Sequence, residues 1–276
     1  MRRPYSIFVD AVGSFIADDG WAVASHIALS TLTSLFPFLI FVTALAGFFG
    51  SQELADEAAK LLFGVWPAAV AGPIATEVHD VLTAPRGGLL TFGAILALYF
   101  SSSAIEALRT GLNRAYDEPE KRAWYWLRLQ SIIYVLIGAA ALLALAFLVV
   151  LGPLIFKAAL AFAPGLEPLG NLYTVTRLTL ATLMMLIALL LAHLWLPAAQ
   201  LRIRDVWPGV AVTFLCSLGF GEGFGLFLSE YARNYVSTYA GLAYVMIALV
   251  FLYFIAAIFV FGGELNAAIL RAKRPR

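Results

Sequence analysis

Residues 234–263 read NYVSTYAGLAYVMIALVFLYFIAAIFVFGG, thirty residues without an Asp, Glu, Lys or Arg. A bilayer core is crossed by about 20 apolar helical residues, so this stretch is long enough to span one. It closes on Gly263-Glu264-Leu265-Asn266 and then on Arg271, Lys273, Arg274 and Arg276, a basic flank of the kind that stays on the cytoplasmic side. Moving back along the chain, charge-free runs recur at 20–52, 87–105, 129–156 and 178–201. A further run at 206–229 is broken only by Glu222. The six runs predict an all-α polytopic membrane helical bundle. Its transmembrane helices are placed at approximately 22–49, 88–115, 126–156, 172–197, 208–232 and 241–270, within a single membrane domain over 1–276.

Composition agrees with that reading. The chain is 62% hydrophobic and 13% charged, whereas a globular domain carries about 25% charged residues. So few charges cannot cover a water-facing surface, and lipid must cover much of it. A net charge of +1 offers no footprint for nucleic acid. The single cysteine, Cys216, permits neither an intrachain disulfide nor a cysteine zinc site. Arg2 and Arg3 precede no clean apolar stretch, because Asp10, Asp18 and Asp19 interrupt it, so a cleavable signal peptide is not expected.

The distribution of basic residues orients the spans. With both termini cytoplasmic, thirteen Lys and Arg fall inside, including Arg109, Arg114, Lys121, Arg122, Arg128, Arg202 and Arg204. Five fall outside: Lys60, Arg86, Lys157, Arg177 and Arg233. Trp21, Trp124, Trp126, Trp195 and Trp207 sit near the expected boundaries, as an aromatic belt does. Residues 4–20 place Phe8, Val12, Phe15 and Ile16 on one helical face, which predicts a short interfacial helix or a cytosolic cap on the bundle. Residues 61–76 are apolar but too short to span, and they contain Pro67 and Pro73. They read as an outer helical or re-entrant segment after the first span. Pro37 and Pro153 are expected to kink the first and third spans.

Ionisable groups at membrane depth need a reason to be there. Glu222 lies in GFGEGFG, residues 219–225, about 21 Å along its span if that span starts near Pro208. Gly219, Gly221, Gly223 and Gly225 around it suit close helix packing, or a locally irregular helix lining a polar cavity. Arg177 should lie at a similar depth, which makes it the expected partner of Glu222. Nearer the cytoplasm are His26, Glu106, Arg109, Asn113, Glu264 and Asn266. Glu106, Arg109 and Asn113 share one helical face, and the set forms either an inner vestibule or an interhelical clamp near the headgroups. His193 reads as interfacial, and Ser101 to Ser103 can bond back to their own helix.

Certain chemistries are missing. His26, His79 and His193 have no metal-ligand spacing, and there is no HExxH, no phosphate-binding Gly-rich loop and no GxSxG. No catalytic residue, metal or cofactor is expected, and the chain is read as a non-enzyme. Partners are expected among membrane lipids, with a lipid-like substrate and without nucleic acid. No feature of the sequence sets an oligomeric state.

ALSTLTSLFPFLIFVTAL (28–45), SSSAIEALRTGLNRAYDEPEKRAWYWLRLQSI (101–132), PGVAVTFL (208–215) and the closing run through GGELNAAI resemble, in order, the motifs of the YihY/BrkB family, long labelled "ribonuclease BN". The matching positions are Pro37, Asn113, Tyr116, Pro208, Gly209, Tyr239, Gly241, Tyr253, Gly263, Glu264 and Asn266. Phe251 stands where the family has Trp, and Ala240 splits its Tyr-Gly pair. The resemblance implies a six-span bacterial inner-membrane protein. Envelope transport of an amphiphile, or a non-transport role in envelope assembly, is then expected. Nothing in the sequence activates water on a phosphodiester, so nuclease activity is not expected.

Overall fold

The computed structural model describes residues 4–48, 90–162, 170–239 and 242–273. These form seven helices: α1 Pro4–Ala17, α2 Gly20–Phe48, α3 Leu90–Ala115, α4 Trp124–Phe162, α5 Gly170–Trp195, α6 Ile203–Tyr239 and α7 Leu242–Lys273. No strand occurs among the described residues. Four helices, α2, α4, α6 and α7, are long and apolar enough to cross a membrane. The C-terminal half of α3 carries Glu106, Arg109 and Arg114, and α5 contributes a shorter apolar helix, Thr179–Trp195. The outer segment expected at 61–76 lies outside the described residues.

The helix boundaries follow from local chemistry. After α3, Asp117 adopts φ 52°. Asp117 N–H then bonds Arg114 C=O, and Glu118 N–H bonds Asn113 C=O, both at 3.0 Å. This is a Schellman closure with Asp at the left-handed position. Asp19, at φ 51°, ends α1 in the same way, donating to Ile16 C=O at 3.2 Å. At the start of α6 the Asp205 carboxylate reaches back to Arg202 N–H at 3.3 Å, as the third residue of a capping box does. That cap lets α6 begin at Ile203, so Pro208 lies inside the helix and not at its first turn as expected. Helices α2 and α4 run unbroken through Pro37 and Pro153. At 39 residues, α4 is about 58 Å long and must project beyond the hydrocarbon.

Helix α7 is the hub, packing on α1, α2, α3 and α6. Half of its apolar window is buried, against 17% in α6 and 22% in α4. The latter two therefore turn most of their side chains outward, to lipid if the helices span. One core joins Val23, Ala24 and Ile27 of α2 to Ala107 and Leu112 of α3 and to Ala256, Phe259 and Val260 of α7. A second joins Phe41 and Val42 to Val135, Ala139 and Leu143 of α4. Lipid tails are as apolar as these side chains, so packing and hydrogen bonds hold the helices together where burial from water cannot. This is why glycine marks the closest approaches. A Cβ on Gly209 would meet the Gly262 carbonyl oxygen and the Asn266 side chain, and one on Gly263 would meet Leu112 at 2.9 Å.

Candidate functional site

The polar residues towards the Lys121 end of the bundle are divided among three interhelical joints. At the first, Arg109 of α3 is buried and donates to Leu127 C=O and Ser131 Oγ of α4, both at 3.1 Å. Glu106, one turn earlier on the same face, takes Arg128 at 2.7 Å and lies 4.0 Å from Arg109. The Arg128 guanidinium also stacks over the Tyr99 ring at 3.6 Å. Two cations and one carboxylate thus fasten α3 to α4.

The second joint ties the 117–123 loop to the chain after α5. Asn113 Nδ2 donates to Glu120 at 3.0 Å, and its Oδ1 accepts from Ala198 N–H at 2.6 Å. Arg122 grips Glu120 bidentately at 2.8 and 2.7 Å and spans to Leu196 C=O at 2.8 Å. The fork geometry of guanidinium on carboxylate makes this a strong pair. It holds the Glu120 carboxyl down at about 2 and raises Arg122 in return. Gln130 of α4 adds a bond to Trp195 C=O at 2.7 Å, and Tyr134 one to Leu191 C=O at 3.2 Å.

The third joint lies where α6 crosses α7. Asn266 accepts from Gly209 N–H at 2.7 Å and donates to Val206 C=O at 3.0 Å. Pro208 has no N–H to offer the Arg204 carbonyl one turn back, and Asn266 binds two backbone groups on either side of it. The two family-like motifs, Pro208-Gly209 and Gly263-Glu264-Leu265-Asn266, are therefore one structural unit. Nearby, His193 is wholly buried, with Nδ1 on Leu189 C=O at 3.0 Å and its ring 4.6 Å from Phe259. Its Nε2, Thr213 Oγ1, Glu264 Oε2 and Tyr116 OH are buried with no hydrogen-bond partner. The His193 ring, expected near the membrane interface, is packed against α7 close to the end of α5.

The sequence-selected residues are only partly brought together. Glu106, Arg109 and Asn113 line one side of α3 and serve the first two joints, Asn266 serves the third, and Glu264 is buried on α7. His26 is exposed and lies outside these joints. Glu222 is exposed on α6 and lines neither cavity described below. The Arg177 side chain falls outside the described residues, and its pairing with Glu222 with it. A Cβ on Gly219, Gly221 or Gly223 would meet nothing within 4 Å. Close packing within the chain through these three glycines is therefore corrected: they face open space, while Gly209, Gly262 and Gly263 make the tight contacts. Ser101 and Ser102 bond back to Leu98 and Tyr99 C=O at 2.9 and 2.6 Å, as expected of serines in a buried helix.

A feature the sequence did not announce lies between α4 and α5. There a groove of about 580 Å³ runs along Leu129, Ile133 and Ile137 of α4 and Leu191 and Leu194 of α5, with Trp126 and Trp195 at its walls. Its floor includes Gln130, Ala199 and Gln200. Ala199 and Gln200 also wall a second cavity of about 380 Å³, formed with Glu118, Glu120, Lys121 and Arg122. An apolar trough thus meets a charged pocket along two shared residues. The Glu120–Arg122 pair lines the second cavity and ties the 117–123 loop to Leu196 C=O. The Asp-Glu-Pro-Glu-Lys-Arg run at 117–122 was the signal available in sequence, but its partner loop 196–201 is distant along the chain and carries no charge until Arg202. Among the described residues no group of three His, Cys, Asp or Glu is placed to hold a metal ion.

Comparison with known proteins places this geometry in a family context. Residues 11–276 match the family described as Virulence factor BrkB. The chain is 26% identical over 269 residues to YfkH of Bacillus subtilis (strain 168), which carries a ribonuclease-like name, covering 98% of this chain and 97% of that one. It is also 26% identical over 268 residues to a UPF0761 membrane protein of Rhodospirillum centenum (strain ATCC 51521 / SW), covering 94% of this chain and 56% of that longer protein. No solved structure matches.

Proposed function

The chain belongs to the Virulence factor BrkB family, and on that premise we propose that it is a six-span inner-membrane transporter or exporter of an amphiphilic, lipid-like envelope substrate. Helices α2 to α7 are the six spans, with both termini cytoplasmic and α1 lying at the inner surface. The excess of basic residues on the side of Lys121 and the termini supports that orientation. So does α1, which seats Ala11 and Phe15 inward while Tyr5 and Ile16 remain 78% and 62% exposed, as in a helix resting among headgroups.

One observation carries the transport reading: the apolar groove between α4 and α5 continues into a charged pocket at the inner edge. A soluble metabolite has no use for a groove that opens sideways between two lipid-facing helices, whereas an amphiphile needs a dry trough and a wet pocket at once. Purified protein in liposomes is expected to accelerate movement of a fluorescent-tailed lipid across the bilayer. Filling the groove by Ile133→Trp is expected to slow it while leaving the protein folded. Equal rates in protein-free and protein-containing liposomes would refute transport.

A second reading, a non-transport scaffold for envelope assembly, draws on the three polar joints, because they spend most inner-half polar groups on holding helices together. It predicts that flux is absent and that the joints matter only for stability. We assign the chain no nuclease activity, since its sequence offers no constellation that activates water.

A further inference from the structure

We propose that the groove and its adjoining pocket form one lipid site selective for a zwitterionic glycerophospholipid, one whose headgroup carries both a phosphate and an ammonium. The acyl chain lies between α4 and α5, and the headgroup lies between Glu118 and Lys121. This rests on the amphiphile reading above and names the chemistry of what the site holds.

The apolar half of the argument is geometric. The groove walls are Leu129, Ile133 and Ile137 on one side and Leu191 and Leu194 on the other. Trp126 and Trp195 are 60% and 56% exposed at its edges. Indoles prefer the layer between hydrocarbon and headgroups, so they set the depth at which an acyl chain passes into its headgroup. The same groove is lined by Ala199 and Gln200, the residues shared by the two cavities.

The polar half is a matter of charge. Four ionised side chains wall the pocket, Glu118, Glu120, Lys121 and Arg122. Glu120 and Arg122 satisfy each other bidentately. Glu118 and Lys121 are exposed and make no ion pair with any described residue. The site is therefore neutral overall and presents one uncommitted carboxylate and one uncommitted ammonium, with the Gln200 amide between them and the groove. An anionic headgroup would leave Glu118 facing a like charge. A headgroup bearing both signs answers both groups. Arg202 and Arg204 follow at the start of α6, outside the pocket lining, and are the reason an anionic lipid is the competitor to test.

The test is lipid retention by the purified full-length protein in detergent, read by native mass spectrometry. Dioleoyl phosphatidylethanolamine and dioleoyl phosphatidylglycerol would compete at equal concentration. The ethanolamine lipid is expected to be retained in preference. Glu118→Gln and Lys121→Gln are each expected to weaken its retention about twofold to fivefold, the range of a solvent-exposed charge contact. The double exchange Glu118→Lys with Lys121→Glu, which keeps both signs, should recover most of that loss. Ile133→Trp should abolish retention of both lipids with unchanged thermal unfolding. Preference for the glycerol lipid, or indifference to the Glu118 and Lys121 variants, would overturn the headgroup assignment. Undiminished retention by Ile133→Trp would overturn the site. Retention is measured without flux, so binding without transport fails the transport reading alone, and transport without retention fails this inference alone.

Discussion

Asn266 does the work of a backbone peptide. Its amide binds both the Gly209 N–H and the Val206 C=O, on either side of Pro208. Asn266→Ala would remove both buried interhelical hydrogen bonds, at a cost of about 1–3 kcal/mol, and should lower the unfolding temperature of the purified protein. Glycine substitutions test the same contact. Exchanging Gly for Ala in a helix gains about 1 kcal/mol in propensity, but a Cβ on Gly209 meets the Gly262 carbonyl oxygen, and backbone cannot step aside. Overpacking of that kind costs about 1–3 kcal/mol, so Gly209→Ala is expected to destabilise. Gly221→Ala, in open space, should be neutral or stabilising. Thermal unfolding in detergent distinguishes the two; equal shifts would mean the α6–α7 crossing is not the tight contact described.

At the scale of elements, the joint between the 117–123 loop and the chain after α5 ties the start of α4 to the end of α5. That joint depends on an ionised Glu120. Its carboxyl is held at about 2, first by the Arg122 side chain, against an ordinary value of 4.5. A carboxylate lowered on folding contributes stability above its unfolded pKa and loses it as pH falls toward the folded one. The contribution of Glu120 is therefore whole at neutral pH and fades between about 4.5 and 2. Glu120→Gln should melt below wild type at pH 7, and the two melting temperatures should converge as pH drops through that window. Parallel melting curves from neutral pH to pH 2 would show that the pair holds nothing. The difference should be modest, because the Glu120 and Arg122 side chains retain 23% and 35% of their exposure and water screens them.

For the whole molecule, the proposed orientation puts the charged pocket at the cytoplasmic leaflet. With Cys216 replaced by Ser, Lys121→Cys should react with an impermeant maleimide only in inside-out vesicles, as should a cysteine placed at Arg274. Labelling of the two from opposite sides would invert the arrangement. The sequence by itself determined that the chain is helical and membrane-embedded. Charge-free runs of sufficient length leave hydrocarbon no other way to satisfy the backbone, and each of the helices α2 to α7 contains most of one such run. It also marked Arg109, Asn113 and Asn266, because a polar group in an apolar run must have a partner. Which partner it has, only the tertiary structure decided. Hydrogen bonds between α3 and α4, or between α6 and α7, join residues far apart in the chain, and spacing along one helix carries no information about the helix beside it. For the same reason Glu222 drew attention and proved exposed, while the groove between α4 and α5 went unannounced. A cavity is bounded by what two helices leave unfilled, and no single segment contains that.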